Sequence, residues 1–284
     1  MSRWLLLLAF GCATPASSDT SKPIDPYAEH VTALRKRLAS KGFTKIEILI
    51  EKPFVVVGDA GAAALRHDAS TVKWAIDHLE ADFFAVRPTK IIDIFLFRDA
   101  ESYERGVKRL TGEDPDTPYG FYSKTHGGMF MNIATGGGTL VHEIVHPYVE
   151  ADFPNAPPWL NEGLGSLFEQ SADRDGHIVG LTNWRLEGLQ HAIRDKRVPS
   201  FQALTHLSTD VFYNGDSGVN YAASRYLLYY LQERGKLRDF YHAFRAARAK
   251  DPSGYQTLVA TLGAADMSAF EKQWRAYVGK LTFP

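Results

Sequence analysis

The apolar periodicity of this chain changes near residue 138, and that change limits the folds the chain can adopt. Before it, strand and helix patterns are mixed: Ile46, Ile48 and Ile50 alternate with polar residues, and 90–97 is a strongly apolar run. After it, nearly every segment has helical spacing. We therefore expect an α+β fold, in which a small N-terminal mixed sheet with its helices packs on a mostly helical C-terminal half.

The individual patterns set the expected boundaries. In the N-terminal half we predict helices at 27–41, at 72–84 and after the capping residue Asp99, and strands at 46–50, 54–57, 90–97 and within 120–133. In the C-terminal half we predict extended segments at 171–181 and 206–213, and helices at 139–151, 159–170, 183–194, 217–234, 237–249 and 266–280. We expect an α/β subdomain with an edge strand over 27–138 and a helical subdomain over 139–284.

The first 26 residues are typical of an export signal followed by a tether. Arg3 precedes an apolar run over 4–10 that is too short to span a bilayer, which takes about 20 residues. Cys12, the only cysteine, directly follows Gly11, and this resembles the processing box of bacterial lipoproteins. We expect an exported protein of the cell envelope with a lipid anchor at Cys12. The alternative is a periplasmic or secreted protein cleaved near Ala16.

Composition narrows the function classes. The formal net charge is -1 and no basic stripe is visible, which argues against a nucleic-acid partner. A single cysteine excludes an intramolecular disulfide, so core packing, with or without a metal, must hold the fold together. Membrane contact is expected only through the lipid anchor, and the sequence does not indicate an oligomeric state.

Residues 141–146 read V-H-E-I-V-H and contain the pattern H-E-x-x-H. Residues four apart on an α-helix lie about 40° apart around the axis and about 6 Å along it, so His142 and His146 point to one side. Two neutral imidazoles can then bind one zinc ion, with Glu143 beside the metal and within reach of a water molecule. We expect Thr139 to cap this helix and Pro147 to kink or end it.

A second segment, P-W-L-N-E-G at 158–163, places Glu162 on the next predicted helix. Catalytic zinc sites typically use three protein ligands, and this carboxylate can supply the third. The two motifs together resemble the gluzincin metallopeptidases, in particular aminopeptidase N-type enzymes and the smaller peptidase MA-like proteins, over residues 120–235. The resemblance implies a gluzincin-like architecture and makes Glu162 the third metal ligand.

Asp152 is the alternative third ligand, because it lies six residues after His146, the spacing that metzincins use. Those families also need a glycine at the position that Val149 occupies here, and a methionine turn below the metal. The next methionine after the motif is Met267, far along the chain. The pattern therefore favours Glu162 over Asp152.

The resemblance also implies a downstream tyrosine or histidine that donates a hydrogen bond to the developing oxyanion. Tyr221 is the predicted residue, because it begins a helix in a glycine-preceded segment, G-V-N-Y at 218–221. The chain has 13 tyrosines, and Tyr213 and Tyr226 are the alternative donors. A further alternative is a site in which no tyrosine has this role.

The segment G-G-M-F-M-N at 127–132 ends 10 residues ahead of His142. It is either an edge strand that pairs with an extended substrate or an ordinary strand of the sheet. Aminopeptidase N-type enzymes use a G-x-M-E-N segment whose glutamate holds the free amine of the substrate, and this stretch lacks that glutamate. The sequence therefore favours an endopeptidase over an aminopeptidase.

Together these features predict a zinc-dependent metallopeptidase with one zinc ion per chain, acting on a peptide or protein substrate. In the expected mechanism a zinc-activated water attacks the peptide carbonyl, Glu143 is the general base and Tyr221 assists at the oxyanion. Two alternatives stay open: a non-catalytic metal-binding scaffold lipoprotein of the envelope, and a zinc hydrolase of non-peptide substrates.

Overall fold

The structure, a computed structural model, describes residues 25–283. The expected signal segment, the expected lipidation site at Cys12 and the tether up to residue 24 lie outside the described residues. Helix α1 (Pro26–Ser40) is the first described element, and the side chain of Asp25 caps it by accepting the Tyr27 amide hydrogen at 3.0 Å. Within 25–283, none of the helices is both long enough and apolar enough to cross a membrane.

Five strands form one mixed sheet in the order β1-β2-β3-β5-β4. The strands are β1 (Glu47–Glu51), β2 (Phe54–Gly58), β3 (Ile92–Phe97), β4 (Gly120–Ser123) and β5 (Gly128–Asn132). β3 pairs in parallel with both β2 and β5, and each outer strand pairs antiparallel with its neighbour. The three inner strands are buried along their whole length, and apart from Asp93 in β3 and Asn132 in β5 they consist of apolar residues and glycine.

The strand within 127–132 is interior, so its interpretation as an edge strand is wrong. β5 pairs with β3 on one side and with β4 on the other, and the edge of the sheet is β4. The position of this strand in the sheet depends on whether β4 or β5 pairs with β3. The sequence could not decide this, because β3 lies more than 20 residues earlier in the chain.

Helices cover both faces of the sheet. α2 (Ala62–Asp82) covers one face, and α1 with α3 (Ala100–Thr111) covers the other. Neighbouring side chains of β2 point to opposite faces, as in any strand: Val56 belongs to the cluster under α2, and Val57 to the cluster under α1 and α3. Asp99 caps α3 as predicted, by accepting an amide hydrogen at 2.7 Å.

A short 3-10 helix, Ile133–Thr135, leads from the sheet into the helical half. That half contains a two-stranded hairpin, β6 (Ser171–Arg174) with β7 (His177–Gly180), together with helices α4 (Gly138–Asp152), α5 (Pro158–Phe168), α6 (Arg185–Arg194), α7 (Phe201–Thr205), α8 (Thr209–Asn214), α9 (Ser217–Gln232), α10 (Leu237–Ala247), α11 (Tyr255–Leu262) and α12 (Met267–Val278).

The α+β class is confirmed, and the main departures are local. The segment 206–213, predicted to be extended, is largely helix α8, because the Ser208 side chain caps that helix by accepting the Val211 amide hydrogen at 3.3 Å. The short helices α7 and α11 were not predicted. α2 begins at Ala62 rather than near residue 72, because a run of alanines precedes the predicted helix.

One large hydrophobic cluster joins the sheet to the C-terminal helices. It runs from Phe54 in β2 through Ile144 in α4 to Val278 in α12. α4 packs against α2 and β4 and also against α5, and α5 packs along α9. This packing sets α4 and α5 side by side, next to the edge strand β4.

Candidate metal centre

Helices α4 and α5 bring His142, His146 and Glu162 together. The two histidines lie one turn apart on α4, and Glu162 lies on α5. Nε2 of His142 is 3.2 Å from Oε2 of Glu162, and Nε2 of His146 is 3.8 Å from the same oxygen. One ligand atom from each residue lies within 4.8 Å of the other two. This group of two imidazoles and one carboxylate could hold a metal ion.

Glu143 lies beside this group and is not part of it. Its Oε2 is 3.8 Å from Nε2 of His146, and the same oxygen accepts the backbone amide hydrogen of Tyr122 in β4 at 3.1 Å. The edge strand therefore holds the Glu143 carboxylate at the floor of the cleft that contains the three potential ligands.

Each histidine is oriented by a hydrogen bond from its second ring nitrogen. Nδ1 of His142 lies 3.0 Å from Oε1 of Glu169, and Nδ1 of His146 lies 3.1 Å from Oδ1 of Asn161. In the neutral rings that metal binding requires, Nδ1 is the donor and the lone pair of Nε2 is directed towards Glu162. Such outer partners fix the tautomer and the orientation of metal-binding histidines.

Arg185 fixes Glu169 in turn. Its Nε donates to Oε2 of Glu169 at 2.8 Å, and its Nη2 donates to Oε1 at 2.7 Å. This two-point contact is the strongest geometry available to an arginine and a carboxylate. The sequence analysis did not single out Arg185 or Asn161 as supporting residues. Helical spacing could have indicated Glu169, because it follows Glu162 by two turns of α5.

The cluster has an excess of negative charge. With both histidines neutral, the carboxylates of Glu143, Glu162 and Glu169 and the single guanidinium of Arg185 give a net charge of -2. All four side chains are mostly withdrawn from solvent. Because unpaired buried charge is costly, this excess needs a positive charge to offset it, which either a metal ion or a proton on His142 can supply.

Hydrogen bonds and charge set the pKa values in the cluster. Burial lowers the pKa of His142, but hydrogen bonds with Glu162 and Glu169 outweigh it and raise that pKa to about 10. Burial raises the pKa of Glu162, but His146 and His142 lower it to about 2, and Arg185 and His142 lower the pKa of Glu169 to about 2 in the same way. For Glu143, burial prevails and raises the pKa above its ordinary value.

Of the three tyrosines considered as oxyanion donors, Tyr213 and Tyr221 line the cleft and Tyr226 does not. The hydroxyl of Tyr213 donates to Oε1 of Glu162 at 2.6 Å. Tyr221 lines the cleft beside it, and burial, followed by the charge of Glu162, raises the pKa of its hydroxyl. Tyr226 is buried, and its hydroxyl bonds Asn183 instead, so it is excluded as an oxyanion donor. Tyr213 was only an alternative in the sequence, because its contact with Glu162 depends on how α8 folds back over α5.

Asp152 is excluded as a metal ligand. Its carboxylate accepts the backbone amide hydrogens of Ala85 and Val86 at 3.0 and 2.9 Å, and the hydroxyl of Tyr241 at 2.9 Å. Arg245 completes the set with an ion pair of 3.0 Å. This carboxylate joins α4 to the end of α2 and to α10, away from the histidines.

Local backbone features of α4 differ from two expectations. Of the two outcomes expected at Pro147, a kink or an end of the helix, the end is wrong, because α4 continues to Asp152; the proline cannot donate the hydrogen bond that an amide at this position would give to the carbonyl of Glu143. Thr139 is not the cap, since α4 begins at Gly138 with Gly137 as its first flanking residue. On α5, a Cβ at Gly165 would lie 2.9 Å from Nε2 of His142, so only glycine fits beside that ring.

The cleft extends to both sides of the centre. One recess of about 620 Å³ contains both histidines, Glu162 and Tyr213, and a second of about 870 Å³ opens between β4, the start of α4 and the start of α6. His142, Glu143 and Tyr221 line both recesses. An extended ligand can therefore pass the centre and occupy both sides.

No protein-family model matches this chain, and no curated protein matches it in sequence. The resemblance to gluzincins consequently rests on the two motifs, and the functional argument rests on the geometry of the centre.

Proposed function

We propose that this protein is a zinc-dependent metallopeptidase of the gluzincin type. The observation that carries the proposal is the convergence of His142, His146 and Glu162, from two separate helices, beside the buried carboxylate of Glu143. The gluzincin-like architecture is part of the same proposal. It is supported by the mixed sheet, whose edge strand β4 lies against the helix that carries both histidines.

The donor set fits zinc. Two imidazole nitrogens and one carboxylate oxygen are a known ligand set of catalytic zinc sites, which leave a fourth position open. Four ligands placed tetrahedrally at about 2.0–2.1 Å lie roughly 3.3–3.4 Å from one another. The observed separations of 3.2 and 3.8 Å from Oε2 of Glu162 are close to that value. A dication also offsets the net charge of the cluster, which supports one zinc ion per chain.

When bound, zinc would supply a Lewis acid that activates a water molecule and polarises the scissile carbonyl. Glu143 accepts the proton of that water as the water oxygen adds to the carbonyl carbon. It then passes the proton to the departing amine as the C–N bond breaks. The bond from the Tyr122 amide aims one oxygen of Glu143, and burial favours the protonated form that the second step requires.

Tyr221 is proposed to donate its hydroxyl hydrogen to the developing oxyanion. It lines both recesses at the point where they meet. Tyr213 already donates to Glu162, so we assign it to holding that ligand in place. Burial and the charge of Glu162 keep both hydroxyls protonated at neutral pH, which a donor requires.

An extended polypeptide is the substrate that this cleft suits best. Among the described residues no strand pairs with the outer edge of β4, so the backbone groups of that edge other than the Tyr122 amide, which Glu143 accepts, can pair with a substrate segment laid beside it. Because the recesses extend on both sides of the centre, cleavage within a chain is favoured over removal of one terminal residue. A location in the cell envelope, through a lipid on Cys12, completes the proposal and is supported by the sequence alone.

The test uses the purified chain, its zinc content and unfolded protein substrates unrelated to one another. We expect about one zinc per chain, cleavage that a chelator stops, and recovery when zinc is returned. Zinc without cleavage of any protein would favour the envelope scaffold. Chelator-sensitive hydrolysis of esters or phosphates, with proteins left intact, would favour the non-peptide hydrolase. Absence of bound zinc at micromolar concentration would contradict all three.

A further inference from the structure

The most exposed large hydrophobic side chains of residues 25–283 lie in one place. Trp184 is 63% exposed and Tyr119 is 56% exposed, the two highest values among the large hydrophobic residues. Both line the 870 Å³ recess, on the same side of the candidate metal centre. Neither side chain contributes to the core, so folding does not explain why both are exposed beside the candidate metal centre. Binding of a ligand does explain their exposure.

The indole of Trp184 is largely exposed but contacts a neighbouring guanidinium. The guanidinium of Arg185 lies 4.2 Å from its ring centroid. Arg185 is itself held at two points by Glu169, which bonds Nδ1 of His142. A chain of three contacts therefore links the indole to His142, the first of the three potential metal ligands.

The recess offers no free charge to a ligand except at the centre itself. Its charged groups away from the centre are Glu169 and Arg185, which neutralise each other. The remaining wall consists of aromatic rings, glycines and uncharged polar side chains such as Thr71 and Thr117. A charged substrate side chain would lose water here without gaining a partner, whereas an apolar one would bury its surface against the rings.

We infer that this recess is the subsite that selects an aromatic or large aliphatic side chain of the polypeptide substrate, with Trp184 as the residue that sets the preference. The inference rests on the proposed peptidase function and specifies its substrate class. The occupant is the substrate itself, because the recess is continuous with the centre through His142, Glu143 and Tyr221. A chain laid across the centre must place one or more side chains over Trp184.

The closing experiment compares three zinc-loaded variants with the wild type: Trp184→Ala, Trp184→Phe and Ile50→Ala. Ile50 is a matched control, because it is 40% exposed and lies in β1, at the opposite edge of the sheet. The probes are peptides of one common sequence in which a single position is varied among Phe, Leu, Ala, Asp and Lys. The varied position is one of the three residues on either side of the cleaved bond. Mass spectrometry of the products identifies that bond.

For the wild type we expect kcat/KM to be higher by about ten-fold or more for Phe or Leu than for Ala at one particular position. Trp184→Ala should lower the ratio of kcat/KM for the Phe or Leu peptide to kcat/KM for the Ala peptide to about one, whereas Ile50→Ala should keep every peptide and the zinc content within about two-fold of wild type. Trp184→Phe should keep most of the preference, and Ile50→Ala all of it. An equal loss for every peptide would overturn the inference, since Trp184 would then act on the centre through Arg185.

A binding measurement separates this inference from the proposed function. The same peptides, labelled with a fluorophore, are titrated into the zinc-loaded Glu143→Gln protein with and without Trp184→Ala, and anisotropy gives Kd. Suppose that the wild type cleaves no peptide, but that Phe peptides bind more tightly than Ala peptides and Trp184→Ala removes this difference. The subsite is then supported and the peptidase proposal fails. If no preference for apolar peptides is found, or if only an added oligosaccharide competes at Trp184, the inference is wrong.

Discussion

Oε1 of Glu169 lies 3.0 Å from Nδ1 of His142, on the side of the ring opposite to the one that faces Glu162. The histidine is thus held between two carboxylates. One of them belongs to the potential ligand set, and the other, fixed by Arg185, sets the direction of the ring.

Glu169→Gln should weaken zinc binding by about 10–100-fold, because the amide keeps the shape but loses the charge that orients His142 and holds Arg185. Competition with a chelating dye measures the affinity. Glu187→Gln is the control, since Glu187 is an exposed residue of α6. An unchanged affinity in Glu169→Gln would show that the His142–Glu169 contact serves packing alone.

Glu143→Gln should abolish hydrolysis while zinc stays close to one per chain, because glutamine cannot accept a proton and Glu143 is not among the proposed ligands. Glu150→Gln, two turns further along α4 and at the wall of the same recess, should retain activity. Metal analysis measures the zinc content and a peptide assay measures the activity. Loss of zinc from Glu143→Gln would mean that Glu143 is a zinc ligand rather than the general base.

Substitutions of Tyr213 and Tyr221 should differ in their effects. Tyr221→Phe should lower kcat by about 10²–10³ with KM and zinc content little changed, because the oxyanion bond forms mainly in the transition state. Tyr213→Phe should instead lower zinc affinity, because Glu162 loses its 2.6 Å hydrogen bond. The opposite pattern, with the kcat loss in Tyr213→Phe and activity within a few-fold of wild type in Tyr221→Phe, would exchange their roles.

Gly165→Ala should displace the His142 ring, because the new Cβ would lie 2.9 Å from both Cδ2 and Nε2 of that ring. We expect reduced zinc content in a protein that still folds, judged by circular dichroism. Gly188→Ala in α6 is the matched control, since nothing lies within 4 Å of a Cβ there. It should stabilise the protein by about 0.5–1 kcal/mol, the usual gain for this change in a helix. Normal zinc binding by Gly165→Ala would contradict the prediction.

The contact of His78 with Asp173 should make stability depend on pH. The ring of His78 lies 2.8 Å from the Trp74 carbonyl through Nδ1 and 2.6 Å from Asp173 through Nε2. Both partners are acceptors, so both bonds form only when the ring is protonated. Burial lowers the pKa of His78, but these bonds and the charges of Asp173 and Asp82 outweigh it and raise the pKa above the ordinary 6.5.

A raised pKa contributes stability that is fully present below pH 6.5 and is lost as the pH rises through the folded value. The lowered pKa of Asp173 means that its own contribution is lost only in acid, as the pH falls through its folded value. Asp173→Asn should therefore lower Tm at pH 5.5 and have little effect at pH 9, compared with wild type in the same buffers. A Tm difference that is independent of pH would contradict this.

The sequence by itself determined those features that depend on neighbours a few residues away. His142 and His146 face one side because they are four residues apart on a helix, and this follows from helix geometry alone. Asp99 caps α3 for a similarly local reason, because its side chain reaches an amide of the first turn. The apolar runs of β2 and β3 likewise required burial on both faces, and both strands are inner strands of the sheet.

The tertiary structure decided which of those features meet. The sequence offered both Glu162 and Asp152 as a third ligand. The packing of α5 against α4 and along α9 places Glu162 at the histidines. Asp152 instead accepts hydrogen bonds from α10 and from the residues that follow α2. Tertiary packing, which no local pattern encodes, also brings Tyr213 and Arg185 to the centre. It likewise determines that β4 rather than β5 is the outermost strand on that side of the sheet. The physical reason is that periodicity specifies which face of a helix or strand is buried, whereas only the summed packing of distant segments specifies what that face is buried against.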